Sequence, residues 1–269
     1  MRGLHIMLFG SFVSLLASCA TKETVPQVSV KPNGSGIEVA SIKSMGPSSW
    51  LGRSRGPDGE INKPDTPTQT ALSIERIQDL QNKEPRFFIP ASGRLRVVSV
   101  ENFSTYPDPE DLVGLQRYLG MAKGAAPDSP PEIPWMNAAR VFKAKLRVVE
   151  YPWGKAVLYL TSYVQGRTGG PVNNDMLTLV CQGLTKDGRY AVNGKFEIRH
   201  PKLPKSLWDE RQEGLAVFSI DDDCEEAERW LSAQLDDVFT PSFRQYEEFL
   251  SSLVIEPGPY WRKSPFESY

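Results

Sequence analysis

From Phe142 to Ile198 the chain is written in period two, and no other feature restricts its fold as much. Phe142, Ala144, Leu146 and Val148 alternate with Lys143, Lys145 and Arg147. Successive side chains of a strand point to opposite faces, so this run predicts a strand with one apolar and one charged face. Tyr151-Pro152-Trp153-Gly154 then turns the chain. Between Ala156 and Gln165, Leu158, Leu160 and Val164 oppose Val157, Tyr159 and Tyr163. Both faces are apolar or aromatic, which predicts a central strand. A third strand spans Met176 to Leu184. It is followed by Lys186-Asp187-Gly188-Arg189, whose Asp-Gly pair is a hairpin signal. In the fourth, Tyr190, Val192, Phe196 and Ile198 alternate with Lys195, Glu197 and Arg199. Connections this short leave no room for crossover helices, so residues 141–200 are expected to form a four-strand antiparallel meander.

The flanks extend this picture. Leu95 to Val100 reads as a further strand, near 94–100. Asp108-Pro109 is an N-cap followed by a first-position proline, and Leu112, Leu115 and Leu119 then mark a helix. Ile74, Ile77 and Leu80 are three apart and predict a short helix over 71–81. After the meander come helical signals only. Ser206 caps Leu207 and Trp208; the run Asp221-Asp222-Asp223 leads Cys224, Ala227, Leu231 and Leu235; Thr240-Pro241, an N-cap with a first-position proline, leads Phe243, Tyr246, Leu250 and Leu253. Strands followed by helices, without βαβ alternation, indicate an α+β domain: an antiparallel sheet packed on one face by the C-terminal helices. Its expected limits are residues 71–256, with an irregular aromatic tail over 257–269 that carries Tyr260, Trp261, Phe266 and Tyr269.

The N-terminus carries a different kind of information. Arg2 precedes an apolar run from Leu4 to Leu16, too short to span a bilayer as a helix, which takes about 20 residues. Leu16-Ala17-Ser18-Cys19 closes it. This arrangement resembles the signal peptide and lipobox of bacterial lipoproteins. The resemblance implies cleavage after residue 18 and acylation of Cys19, palmitate being one such acyl group. One acyl chain binds a membrane only marginally, at about 0.8 kcal/mol per buried CH₂; two or three hold it stably. Ala20, where an aspartate would imply inner-membrane retention, directs the resemblance to the outer membrane and its periplasmic face. Residues 19–70 are rich in Pro and Gly and read as anchor and tether. A coil of about 50 residues has a root-mean-square span of about 40 Å. Ile37, Val39 and Ile42 within it are candidates for a short strand.

A second resemblance lies at 154–204. Val180-Cys181-Gln182-Gly183-Leu184-Thr185-Lys186-Asp187-Gly188-Arg189-Tyr190, followed by His200-Pro201-Lys202-Leu203-Pro204, is similar to segments of an uncharacterised family of bacterial envelope lipoproteins. It implies a shared domain and no activity.

Chemistry is sparse. The formal charge is −2, which gives no argument for nucleic acid as a partner. The two histidines are His5, inside the leader, and His200, so the mature chain has no His₂ metal site and no cofactor motif. His200 ends a strand, where a ring commonly bonds the backbone. The acids from Asp221 to Glu228 suit a helix N-terminus and lack the glycine of a calcium loop. Gly166 to Pro171 joins two strands and opens no helix, so it is not a phosphate loop. Cys181 and Cys224 are either a disulfide or two free thiols, since an envelope compartment permits both. Trp153, Tyr159 and Tyr163 are candidate ligand contacts, Trp153 first because it sits in a turn. The pattern favours a non-enzymatic binding or scaffolding domain. Its partners would be the bilayer, through Cys19, and an envelope protein or polymer. A carboxylate-dependent hydrolase of envelope polymers is the alternative. The sheet face that the helices leave open is where the two readings diverge.

Overall fold

The computed structural model describes residues 24–32, 35, 37–45, 54–55, 61–62, 69–78, 88–100, 109–120, 130, 139–164, 170–206, 214–220 and 223–260. The leader with Cys19, the helix expected at Leu207 and Trp208, and the tail beyond Tyr260 lie outside them. In chain order the elements are β1 (Thr24–Val30), β2 (Ile37–Met45), β3 (Ser54–Arg55), β4 (Ile61–Asn62), β5 (Gln69–Gln78) and β6 (Phe88–Ser99), then α1 (Pro109–Gly120). Next come β7 (Ala139–Arg140), β8 (Ala144–Tyr151), β9 (Gly154–Val164), β10 (Leu177–Thr185) and β11 (Tyr190–Glu197). α2 (Cys224–Ala233), α3 (Phe243–Ser252) and β12 (Leu253–Tyr260) complete the chain. The fold is α+β, an antiparallel sheet of many strands with three α-helices among the described residues.

The main sheet runs β2-β5-β6-β11-β10-β9-β7, and β8 also pairs with β9. Its centre is a set of hairpins. At the β10–β11 turn Gly188 takes φ 69°. The Asp187 carboxylate accepts from the Thr185 hydroxyl at 2.6 Å and from the Arg189 N–H at 3.1 Å. A residue with no Cβ penalty beside one that bonds its own backbone is what makes Asp-Gly turn here.

Strand alternation sorts the side chains into two cores. On one face Leu95, Leu158, Leu179, Cys181, Val192 and Phe196 pack against Ala227 and Leu231 of α2 and Phe243, Tyr246, Phe249 and Leu250 of α3. On the other, Leu112, Leu115, Tyr118 and Leu119 of α1 cover Val98, Val157, Tyr159, Val180, Leu184 and Ala191. β9, buried on both sides over most of its length, is flanked by β10 on one side and by β7 and β8 on the other, but it lies next to the edge of the sheet and not at its centre.

Four segments depart from the sequence reading. Where a helix was expected over 71–81, the described residues through Gln78 belong to strand β5, paired with β2 and β6, and 79–81 lie outside the described residues. The register of β5 against β6 slips between Ile74 and Arg76. A bulge inserts one residue and resets which face the next one takes, so a three-residue apolar spacing also fits a bulged strand. The stretch read as tether supplies β1 and β2, with Val28 buried in the first core. Pro257 to Tyr260, expected to be irregular, belong to β12, which pairs with β1 from Thr24↔Tyr260 to Val30↔Leu253. α3 starts at Phe243, capped by Ser242 and not by Thr240. Ser242 Oγ accepts from the Gln245 N–H at 3.3 Å, and Gln245 Oε1 accepts from the Ser242 N–H at 3.0 Å.

The basic side of β8 does not face solvent as a plain charged face would. Lys145 has φ 54°, and the register against β9 slips between Ala144 and Arg147. This bulge directs the cations to the link between α2 and α3. Lys145 Nζ lies 2.8 Å and Arg147 Nη1 2.7 Å from the Asp236 carboxylate, and Arg147 Nη2 lies 2.8 Å from Glu247. Burial pushes the Asp236 carboxyl up, but hydrogen bonds from Lys145 and Arg147 outweigh it and hold it below the usual carboxylate range. Lys143 N–H donates to Glu228 at 2.8 Å. One acid of the run from 221 to 228 therefore bonds the backbone just ahead of β8.

Gly154 stands where β9 leaves the β8 turn. A Cβ there would lie 2.0 Å from the Leu184 carbonyl oxygen and 2.8 Å from the Thr185 Cα. Both obstacles are backbone and cannot swing away. Gly154→Ala is expected to cost about 3 kcal/mol, the upper end for overpacking a core, measured as a lower urea midpoint with unchanged slope.

Candidate functional site

The structure treats the three candidate aromatics differently. Trp153 is 6 % exposed; its Nε1–H donates to the Leu250 carbonyl at 2.7 Å, and its ring stacks on Tyr151 at 5.2 Å. It is a core residue that fastens the β8–β9 turn to α3, and the expected ligand contact is corrected. Tyr159 is fully buried beneath α1, with the Arg140 guanidinium 5.4 Å from its ring centroid. It too is core. Tyr163, further along β9 and on the same face, is half-buried and packs against this second core. Cys181 and Cys224 are both free. Cys181 is wholly buried in the first core, and Cys224 Sγ donates to the Ile220 carbonyl at 2.6 Å.

His200 sits among aromatic rings, 4.8 Å from Trp230 and 5.0 Å from Phe239, and its Nδ1 accepts from the Lys202 N–H at 3.2 Å. Burial first, and then the Lys202 charge, depress the proton affinity of the imidazole below its ordinary 6.5. With the folded value below the unfolded one, the unfolded chain takes up more protons, so stability falls as pH drops. The His200 contribution is complete above 6.5 and is lost below it, toward the depressed folded value. His200→Gln is expected to flatten the decline in unfolding free energy between about pH 6.5 and the carboxylate range near pH 4, read from urea titrations across pH.

α1 covers the start of β9 and the end of β10, and among the described residues no helix covers the other half of that face. Alternation on β11 sends Asn193, Lys195 and Glu197 to this side, away from Val192 and Phe196 in the first core. β6 brings Arg94 and Arg96, β10 brings Thr178 and β9 brings Tyr163. Asp175 and Met176 close one edge; Ser73 and Ile74 of β5 close the other. Together they line a hollow of about 670 Å³, within the size range of small-molecule sites. Gly93 and Phe196 complete its lining, and a Cβ on Gly93 would lie 2.8 Å from the Phe196 ring.

The hollow has two characters. Arg94, Arg96 and Lys195 make one part cationic, and the Lys195 ammonium lies 4.0 Å from the Tyr163 ring centroid, a cation–π contact. Glu197 and Asp175 put carboxylates in the same lining, with Glu197 also 3.9 Å from Arg199. Asn193 is 5 % exposed, and among the described residues its Nδ2 has no hydrogen-bond partner; nor has Oε1 of Gln182, which stands directly opposite it across β10 and β11. Sequence reasoning identified Tyr163 and passed over Arg94, Arg96, Asn193 and Lys195. In a strand, charged alternation reads as a solvated face, and only the position of α1 reveals that this one is a concave floor. Among the described residues no group of three His, Cys, Asp or Glu could hold a metal, and no helix is long and apolar enough to cross a membrane.

Compared with protein-family models, curated proteins and solved structures, the chain matches none.

Proposed function

We propose that the chain is a membrane-anchored lipoprotein of the bacterial cell envelope. Cys19 would hold it by its acyl chains at the periplasmic face of the outer membrane, and its domain would bind a ligand or partner without turning it over. The observation that carries the binding role is the cationic, partly aromatic hollow beside α1. The meander over 141–200 and the strand near 94–100 would be the scaffold, with the C-terminal helices fixing one face so that the other can receive a ligand. The leader, with its lipobox Leu16-Ala17-Ser18-Cys19, supports the location.

The anchor has a direct test. Mass spectrometry of the N-terminal peptide from membrane-extracted protein is expected to find residue 19 first, carrying diacylglyceryl and a further acyl group. An unmodified Cys19, or cleavage elsewhere, contradicts the assignment. Protease shaving of intact cells separates a periplasmic from a surface position.

One observation favours the hydrolase reading: Asp175 and Glu197 line the same hollow. On that reading Asp175→Asn and Glu197→Gln would each abolish cleavage of an envelope polymer. On the binding reading no such turnover is found in the unaltered chain.

A further inference from the structure

β1 begins beside the point where β12 ends. Thr24, the first residue of β1, is paired with Tyr260, the last of β12. Antiparallel neighbours lie about 5 Å apart, so the two strands open at one end of the domain on adjacent positions. The strand that carries this end is built into the fold. Pro26 and Val28 are buried, and β1 lies against β2, β5 and β6. At its other end the Lys31 N–H donates to the Ser252 carbonyl at 3.0 Å.

Two stretches of sequence meet at this end. On the β1 side, residues 20–23 alone separate Thr24 from Cys19. An extended chain advances at most about 3.6 Å per residue, so Thr24 lies within about 18 Å of Cys19. That is far less than the span expected of a tether over 19–70. On the β12 side the sequence continues as Trp261-Arg262-Lys263-Ser264-Pro265-Phe266-Glu267-Ser268-Tyr269. It carries three aromatic residues, and two bases against one acid. Nine residues reach about 30 Å, further than Cys19 can stand from Thr24. Trp and Tyr join an apolar ring to a polar edge and favour the boundary between bilayer and water, where Arg and Lys meet anionic headgroups.

Resting on the acyl anchor proposed for Cys19, we infer that the Thr24–Tyr260 end of the domain faces the bilayer and that residues 261–269 make a second contact with the lipid that holds Cys19. Alone, so short a stretch would bind a membrane weakly. The anchor makes its binding intramolecular, at the high effective concentration of a short link. A domain held at Cys19 alone is free to swivel; a second contact, one strand away, fixes which end it turns to the membrane.

The test is fluorescence of the full chain extracted from its own membranes and reconstituted in vesicles of phosphatidylglycerol and phosphatidylcholine. Subtracting the Trp261→Phe variant isolates Trp261 from the other tryptophans. A lipid nitroxide at headgroup level is expected to remove most of the Trp261 emission, and aqueous acrylamide to quench it several-fold less than it quenches free tryptophan amide. Arg262→Glu combined with Lys263→Glu is expected to reverse both readings, because the anionic surface then repels the stretch. Mass spectrometry of the same sample reads the anchor separately. An acylated Cys19 with Trp261 quenched by acrylamide and not by nitroxide keeps the anchor and overturns the second contact, the stretch then lying in water. Quenching by neither agent also overturns it and places Trp261 against protein, its own domain or a second copy. An unmodified Cys19 on a vesicle-bound chain whose Trp261 is quenched by nitroxide overturns the anchor and keeps the lipid contact. An unmodified chain that does not bind vesicles overturns both.

Discussion

Trp153→Ala will destabilise the fold by about 4 kcal/mol, within the range for truncating a buried tryptophan. The reason lies in what the ring joins. It lies in the first core at 6 % exposure, stacked on Tyr151, and donates to the carbonyl of Leu250 in α3. Alanine leaves a cavity and cuts the tie to α3, although the Leu250 carbonyl keeps the N–H of Leu253. Trp153→Phe keeps much of the volume and loses the donor, so it should cost about 1–3 kcal/mol. Urea unfolding followed by far-ultraviolet circular dichroism separates the two. The same experiment bears on function. A ligand-contacting tryptophan would leave the midpoint nearly unchanged and weaken binding, whereas the core role requires the reverse.

Arg94→Glu should act in the opposite sense on stability. It converts the Arg94–Lys195 pair on β6 and β11 from like to opposite charge. Opposite charges across strands contribute about 0.2–1 kcal/mol, so the ligand-free protein should be no less stable and is expected to gain about 0.5 kcal/mol. Binding of a ligand in the hollow should meanwhile weaken, because the substitution changes both shape and charge on the floor of the proposed site. Both effects should shrink with added salt, Arg94 being exposed. A variant that folds better and binds worse marks a residue kept for its ligand. Loss of stability together with binding would show instead that Arg94 holds the sheet.

The contrast between these two residues says where the sequence was informative. Alternation located β8 to β11, because a period of two requires only neighbours, and Asp187-Gly188 located the hairpin that joins the last two strands. The same local logic failed at β1 and β12, whose pairing joins Val30 to Leu253 across most of the chain. Neither segment has a clean enough alternation to declare itself alone, and each is completed by the other. At β5 a bulge between Ile74 and Arg76 presented a strand with helix-like spacing. Trp153 was misplaced because a turn residue is usually exposed, and here α3 closes over it. The hollow was hidden for a related reason. Lys195 and Glu197 between Phe196 and Ile198 are what any one-sided strand looks like, and whether their face is convex, covered or concave depends on where α1 comes to rest.

Native mass spectrometry of the full chain extracted from its own membranes tests the central claim, a lipid-anchored domain that holds its ligand in the hollow. The expected result is an acylated Cys19 together with a non-covalent adduct that is present in the unaltered chain and absent from Arg94→Glu. An unmodified Cys19 peptide, or an adduct retained in full by Arg94→Glu, would contradict it.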